Sequence, residues 1–356
     1  MSPSTNLPTL LSLSPDTTWP RYPCYHEAMT DEAHKKYLAD KHARTATPRG
    51  LLASYVQKAV GSQPEHIVRI IKGNDHEVYD VTTTHDTHVV VRIAREAEHR
   101  LEAEKWALDA ARTQGVPTPQ VHLLEPAGHD GASLMICIEE KIPGKSLDEL
   151  IDAGEDASTI IPQLGKVLGR IHGVKTEGFG YLQPNGKAWD IPWRKIMLDL
   201  LDKKEELLAM GHKESVPEDT IEAGLDILAK HTELYECDAP VLNHGDFIPA
   251  HILVEDNRIT GVIDMQQCSG NHPIFDFATW EAEAAEKYGI PAQLLFDTYP
   301  DRAVFHGKFD LLLNLTLLRH SLWMLMVESD NGNTTSVMAE KRNLAKAMKF
   351  FESDVA

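Results

Sequence analysis

The stretch from residue 239 to residue 265, APVLNHGDFIPAHILVEDNRITGVIDM, constrains the fold more than any other part of the chain. Two short apolar runs, residues 252–254 and 259–263, flank a turn and predict a β-hairpin. Asp246 precedes the first run, Asp264 ends the second, and His251 lies between them. Because paired strands of a hairpin share their ends, we expect both carboxylates at the same end of this hairpin.

The rest of the chain divides by its periodicity into two lobes, as a length of 356 residues favours. The first part predicts a small antiparallel sheet of five strands with one helix, and helical patterns dominate the second part at 157–173, 193–210, 217–231, 274–288, 306–328 and 335–352. Only the hairpin supplies strands there. The predicted fold class is therefore α+β and bilobal, with residues 1–47 an extension, 48–141 the small lobe and 142–356 the large lobe.

Charge and composition narrow the possible partners. Acidic residues number 54 against 35 basic ones, a net charge of −19, which disfavours nucleic acid. The same charge suits a cationic small molecule, although solubility alone explains it equally well. No apolar run approaches the roughly 20 residues of a membrane span, and no signal peptide is evident, so we expect a cytoplasmic protein without a membrane partner. The four cysteines are far apart and are expected to be reduced. The oligomeric state stays open.

The order Asp246, His251, Asp264 is typical of phosphoryl transfer. In kinases a catalytic-loop aspartate is followed five residues later by one metal ligand, and then by an aspartate that binds Mg²⁺. Asp246 is therefore the candidate base that orients the acceptor hydroxyl. Asp264 is the candidate main metal ligand, and His251 the auxiliary one.

Longer motifs strengthen this interpretation. HGDFIPAH, VIDM and HPIFDFA, together with VVVRIAR, EAEKWAL and IEEKIPGKSL, resemble the aminoglycoside phosphotransferase family over about residues 55 to 290. GFGYLQPNG is similar to the hygromycin-type kinases, and macrolide phosphotransferases have a histidine at the place of His251. The resemblance implies a bilobal protein-kinase-like fold and transfer of a phosphoryl group from ATP or GTP, with Mg²⁺ or Mn²⁺. The implied acceptor is a hydroxyl of a cationic antibiotic, and the implied outcome is resistance.

The resemblance also assigns roles to individual residues. It implies that Arg92 and Glu104 form an ion pair that holds the nucleotide phosphates. His244 and Asp276 would support the catalytic loop. The remaining implied nucleotide contacts are Asn74, His76, Ile138, Glu139 and Glu140, and the implied acceptor contacts are Trp280, Glu281 and Glu283.

Several departures from the family pattern leave alternatives open. His251 replaces an asparagine, so it is either a metal ligand, a contact of a metal-bound water, or a residue packed beside the loop. His272 replaces an aspartate, Met265 replaces a tryptophan, and the loop at 72–78 lacks the usual glycines. A nucleotide-binding pseudokinase is one alternative, and a metabolic kinase of an amino alcohol or sugar is another. A metal hydrolase built on the histidines is disfavoured because its motif spacings are absent.

Overall fold

The computed structural model describes residues 46–71, 76–95, 100–129, 132–237 and 239–353. The predicted extension at 1–47 therefore lies almost wholly outside the described residues, as does Asn74. The predicted division into 1–47, 48–141 and 142–356 remains a prediction.

The small lobe is one antiparallel sheet with two helices, where the sequence predicted one. The helices are α1 (Arg49–Val60) and α2 (Leu101–Thr113). The five strands run in the order β1-β2-β3-β5-β4, with bounds β1 (Pro64–Ile70), β2 (His76–Thr83), β3 (His88–Ala94), β4 (Val121–His129) and β5 (Ala132–Glu140).

Alternation along β3 decides where the functional side chains point. Val89, Val91 and Ile93 are fully buried in an apolar cluster with Leu52 of α1. Because successive side chains of a strand point to opposite faces, Arg92 projects to the other face, where α2 lies.

A buried carboxylate on β2 holds the start of the described chain. Glu77 Oε2 accepts the Thr47 amide at 2.9 Å, and Glu77 Oε1 accepts the Thr47 hydroxyl at 3.2 Å. The Tyr79 hydroxyl donates to Oε2 at 2.7 Å, and Arg95 and Arg69 supply the compensating positive charge.

The large lobe is mostly helical, with two small sheets. The hairpin strands β9 (Ile252–Glu255) and β10 (Arg258–Val262) join β6 (Lys145–Ser146), and β7 (Gly180–Tyr181) and β8 (Val241–Asn243) flank β11 (Ser269–Asn271). The helices are α3 (Leu147–Asp152), α4 (Ile161–Ile171), α5 (Trp193–Leu198), α6 (Lys204–Glu214), α7 (Glu218–Lys230), α8 (Ile274–Trp280), α9 (Glu286–Tyr288), α10 (Ala292–Phe296), α11 (Phe309–Asp330) and α12 (Thr334–Ser353).

Two sequence predictions for this lobe were wrong in detail. Strands β6, β7, β8 and β11 were missed, because two or three residues are too short to show alternation. The helix predicted at 274–288 contains a π-helical turn at Glu281–Ala285, which separates α8 from α9. A π-helical turn shifts the register of the residues that follow it relative to a regular helix.

Helix α2 also packs against the large lobe, although it follows the small-lobe strands in the chain. Its buried residues Ala103, Ala107, Leu108 and Ala111 belong to the same apolar cluster as the large-lobe helices. Only Leu101 joins the smaller cluster against β3 and β5. No helix in the described part of the chain has both the length and the apolarity that a bilayer span requires.

Candidate active site

The hairpin brings the second aspartate back to the catalytic loop. Strands β9 and β10 pair antiparallel, and the connecting residues Asp256 and Asn257 have φ values of 49° and 58°. Two consecutive left-handed residues are the geometry of a tight hairpin turn, which Asp and Asn accept readily. The backbone of Ile263 then donates to the His251 carbonyl at 3.0 Å, so Asp264 lies beside the loop that carries Asp246.

His251 lies between the two carboxylates. Its Nδ1 donates to the Asp246 backbone carbonyl at 2.9 Å and lies 3.4 Å from Asp246 Oδ2. Its Nε2 lies 3.6 Å from Asp264 Oδ2. The structure therefore brings together all three residues that the sequence analysis linked.

The electrostatics of this group are set by burial and by mutual charge. Burial, only partly offset by His251, raises the pKa of Asp246. Burial acts in the same direction on Asp264, but Arg92 and His251 outweigh it, and the pKa of Asp264 lies below its ordinary value. Burial disfavours the charged form of His251, yet the charges of Asp246 and Asp264 prevail and raise its pKa. Asp264 is thus the more firmly ionised of the two carboxylates, as expected for a residue that binds a cation.

The donor set fits a divalent metal held jointly by protein and nucleotide. No group of three or more His, Cys, Asp or Glu side chains among the described residues is arranged to hold a metal alone. Mg²⁺ usually binds through one or two carboxylates, with waters and substrate phosphates completing the shell. Asp264 supplies such a carboxylate. His251 donates its Nδ1 proton to a backbone carbonyl, as metal-binding histidines commonly do, which directs Nε2 towards Asp264.

Asp276 holds the catalytic loop by accepting hydrogen bonds from two of its backbone amides. Its Oδ2 accepts the His244 amide at 2.8 Å, and its Oδ1 accepts the Gly245 amide at 2.9 Å. His172 Nε2 lies 3.1 Å from Oδ2 and fixes the carboxylate from behind. His244 Nε2 bonds to the Ile263 carbonyl at 3.0 Å, linking the loop to the end of β10.

Gly245 gives the catalytic loop its close contact with the segment after Asp264. Its φ of 84° is in the left-handed region. A Cβ atom built there would lie 2.0 Å from the Gln267 backbone oxygen. Glycine is therefore the only residue that this approach admits without displacement.

Arg92 is the centre of the candidate phosphate site. Its Nη1 donates to Glu104 Oε1 at 2.8 Å and lies 3.7 Å from Glu139 Oε1. Its Nη2 lies 3.5 Å from both Asp264 Oδ1 and His76 Nδ1. Burial raises the pKa of Glu104 to about 7 although Arg92 opposes the shift. An excess of carboxylate around one guanidinium leaves this site short of positive charge, which a divalent metal ion would supply.

Sequence reasoning missed Gln266. Its Nε2 donates to Asp264 Oδ1 at 3.0 Å and lies 3.4 Å from His76 Nδ1. Oδ1 is thus occupied by Gln266 and Arg92, while Oδ2 faces His251. An isolated glutamine two residues after an aspartate gives no pattern from which this role follows.

His272 takes a structural role in place of the family's aspartate. Its Nδ1 accepts the Ile274 amide at 3.1 Å at the start of α8, and its ring stacks on Trp193 at a centroid distance of 4.4 Å. Burial lowers the pKa of His272 to about 3, so the ring is neutral and Nδ1 remains an acceptor. Met265, the other replacement, is fully buried in the core.

The structure shows the surroundings of the predicted hinge contacts, whose role in nucleotide binding stays a prediction. Ile138 is fully buried and pairs with Val91 and Leu123 on either side, so it lies inside the sheet. The amides of Glu140 and Lys141 donate to the carbonyls of neighbouring strands. The segment that leaves the sheet therefore starts after Lys141, and Glu139 contributes its side chain to Arg92.

Two of the three predicted acceptor contacts also need correction. Trp280 is fully buried, and its Nε1 donates to the Ile290 carbonyl at 2.9 Å. Glu281 is 5% exposed, pairs with Lys346 and accepts the Ala292 amide at 2.6 Å. Both side chains are therefore occupied in contacts within the protein.

Glu283 remains available, and other carboxylates accompany it. It reaches solvent while protein surrounds its other sides, and this desolvation, with the charges of Glu340 and Asp246, raises its pKa to about 7. Burial raises the pKa of Glu340 to about 7 as well, and that of Glu328 rises for the same reason. We call these three residues, Glu283, Glu328 and Glu340, the acidic wall, and the charge of Asp246 is among those that raise the pKa of Glu283.

Comparisons with known proteins agree with this geometry. Residues 66–283 match the model of the phosphotransferase enzyme family, APH. The hygromycin-B 4-O-kinase of Escherichia coli is 25% identical over 158 residues, a match that spans 43% of this chain and 43% of that protein. The chain thus matches less than half the length of this curated relative.

Solved structures show the same fold at low identity. Aminoglycoside phosphotransferase APH(4)-Ia, in a complex with ADP and hygromycin B, superposes with a TM-score of 0.64 at 18% identity, covering 84% of this chain and 98% of that one. A putative fructosamine-3-kinase from Thermobifida fusca gives 0.56 at 17%, covering 83% and 98%. Macrolide 2'-phosphotransferase MphH from Brachybacterium faecium gives 0.54 at 19%, covering 83% and 97%.

Proposed function

The chain belongs to the phosphotransferase enzyme family, and from that premise we propose that it transfers the γ-phosphoryl group of ATP or GTP to a hydroxyl of a cationic small molecule. The observation that carries the proposal is the convergence of Asp246, His251 and Asp264 beside the buried pair Arg92–Glu104. Phosphoryl transfer depends on positioning and charge neutralisation, and this group supplies both.

Each side chain has a role in this proposal. Asp246 orients the acceptor hydroxyl and takes its proton, for which its raised pKa makes it a better base than an ordinary aspartate. Asp264 holds the metal that shields the phosphates, and His251 assists it. Arg92, fixed by Glu104 and Glu139, contacts the phosphates, and His76 lies at the edge of the same site.

The acidic wall supports a cationic acceptor. Glu340 and Glu328 raise the pKa of Glu283, and an ammonium group bound beside Glu283 would relieve that repulsion. The charge of Asp246 also raises the pKa of Glu283, so a cationic acceptor bound at Glu283 would have the candidate base in its neighbourhood. An aminoglycoside of the hygromycin B type carries several amino groups and hydroxyls, and resistance to such an antibiotic is the proposed outcome.

An amino sugar or amino alcohol is the second candidate acceptor. A single ammonium on a sugar satisfies the same carboxylates, and a putative fructosamine-3-kinase shares the fold. The chemistry at Asp246 is the same for both candidates.

ATP consumption by the purified protein tests the proposal. We would supply Mg²⁺ and either hygromycin B, kanamycin, erythromycin or a panel of amino sugars, and confirm phosphorylated product by mass spectrometry. Asp246→Ala should abolish turnover and leave binding of a fluorescent ADP within about twofold of the parent, because Asp246 contacts the acceptor side. Turnover by that variant at the parent rate would contradict the assignment. Absence of turnover with every acceptor, despite nucleotide binding, would favour the pseudokinase.

A further inference from the structure

The beginning of α2 is tied to the large lobe by Arg100. The Nη2 atom donates to the Cys268 carbonyl at 2.8 Å and to the Leu182 carbonyl at 3.4 Å. The guanidinium also lies over the Tyr181 ring, 4.2 Å from its centroid. A charged donor on a carbonyl and a cation above an aromatic face are both among the stronger polar contacts in proteins.

The Cys268 carbonyl, which accepts the hydrogen bond from Arg100, belongs to the segment that follows Asp264. Cys268 lies four residues after Asp264, and its carbonyl also accepts the Leu182 amide at 3.3 Å. The same segment touches the catalytic loop, since Gln267 lies against Gly245. Residues 265–268 are therefore braced by the catalytic loop and by Arg100 together.

One turn after Arg100, helix α2 carries the acidic member of the Arg92–Glu104 pair. Glu104, four residues after Arg100, holds Arg92 at 2.8 Å. Two residues later, Trp106 packs so closely on Gly186 that a Cβ there would lie 2.1 Å from the indole ring. With its apolar face in the large-lobe cluster, α2 is attached to the catalytic lobe at several points.

From these contacts we infer that Arg100 is a positioning residue that aligns the Arg92–Glu104 pair with Asp264 before nucleotide binds. The inference rests on the proposed function, because it concerns the geometry of the same nucleotide site. A helix free to swing would have to be ordered at each binding event, whereas a tethered helix carries no such cost. The tether acts through Cys268 and not through any contact of Arg100 with substrate.

A matched control exists at the other end of the same helix. Arg170 of α4 donates its Nη1 to the Gly115 carbonyl at 3.1 Å, just after α2 ends. It is the same kind of bond, between a guanidinium and a backbone carbonyl, and it also joins α2 to the large lobe. It does not involve the segment after Asp264.

Hydrogen exchange and nucleotide binding together test the inference on the full chain. In Arg100→Ala we expect faster amide exchange in residues 101–106 and also in residues 264–271. We expect fluorescent ADP with Mg²⁺ to bind about tenfold more weakly, and kcat/KM for nucleotide to fall on the order of tenfold to a hundredfold with the acceptor KM unchanged. Arg100→Lys should restore part of the loss, because it keeps a charged donor for the Cys268 carbonyl and a cation beside Tyr181. Arg170→Ala should change exchange only near residues 111–116.

Two results would overturn the inference. One is unchanged exchange at 264–271 in Arg100→Ala, and the other is an equal effect on nucleotide affinity from Arg170→Ala. If Arg100→Ala does not fold, Arg100→Lys and Tyr181→Leu carry the test, with smaller changes expected in the same two segments. If the parent binds no nucleotide, the proposed function fails, while the exchange data still decide whether the two segments are coupled.

Discussion

Substitution of Gly245 by alanine tests how tightly the catalytic loop is fitted to the segment after Asp264. The new Cβ would lie 2.0 Å from the Gln267 oxygen and 2.5 Å from its carbonyl carbon. Contacts below 3.0 Å are essentially never observed for Cβ atoms, so the two segments must separate by about 1 Å. Misplacing reacting groups by that distance costs about a hundredfold in rate.

The left-handed φ of Gly245 adds a separate cost. An alanine at φ 84° is strained by about 1–2 kcal/mol, whatever space surrounds it. Gly61, which ends α1 with φ 70° and has nothing within 4 Å of its Cβ position, isolates this backbone effect. Gly61→Ala should therefore lower the melting temperature by a few degrees and leave turnover unchanged.

Turnover and melting temperature are measured on both variants with whichever acceptor the parent accepts. We expect Gly245→Ala to lose about a hundredfold in kcat and to melt below Gly61→Ala. Circular dichroism establishes that the variant is folded. If a folded Gly245→Ala keeps turnover within about threefold of Gly61→Ala, the close fit of the two segments has no bearing on catalysis, and the reasoning is wrong.

Two further predictions concern buried titratable groups and the metal. The folded-state pKa of Glu340, about 7, exceeds its unfolded value, so its contribution to stability is present at pH 4 to 5 and is lost as the pH rises through 7. Glu340 is 3% exposed, so we expect Glu340→Gln to leave the melting temperature at pH 5 nearly unchanged. At pH 8 the same substitution should raise the melting temperature by a few degrees, which corresponds to a gain in the free energy of unfolding on the order of 1–3 kcal/mol. Equal shifts of the melting temperature at both pH values would contradict this. His251→Asn replaces a nitrogen donor by an oxygen donor, so activity with Mn²⁺ should fall relative to activity with Mg²⁺. Superimposable metal titrations for the parent and His251→Asn would remove His251 from the metal site.

The proximity of the central residues was predictable because they lie close together in the chain. Asp246, His251 and Asp264 are joined by a hairpin whose alternation and turn residues are strong local signals. Asp276 follows in the next motif and lies where the family pattern implies. Arg92 and Glu104 lie on consecutive elements, so their pairing required only that β3 and α2 face each other.

The residues that were missed or misplaced depend on contacts between distant segments. Arg100 reaches Cys268 across 168 positions, and no spacing rule connects an arginine before a helix to that carbonyl. Trp280 and Glu281 were assigned to the acceptor because acidic and aromatic residues on a helix resemble a binding face. Residue type alone does not reveal that both side chains are buried.

The contacts of Glu77 set a practical limit for shortening the protein from its beginning. Thr47 gives this carboxylate two hydrogen bonds, one from its backbone amide and one from its hydroxyl. A side-chain substitution at position 47 therefore removes only one of them. A truncated protein that begins at residue 46 keeps both bonds, whereas one that begins at Pro48 leaves two acceptor sites of a buried carboxylate to water. Expression work on the two lobes should therefore retain residue 46, and a loss of solubility on cutting two residues further is the expected sign that Glu77 of β2 has lost these two hydrogen bonds.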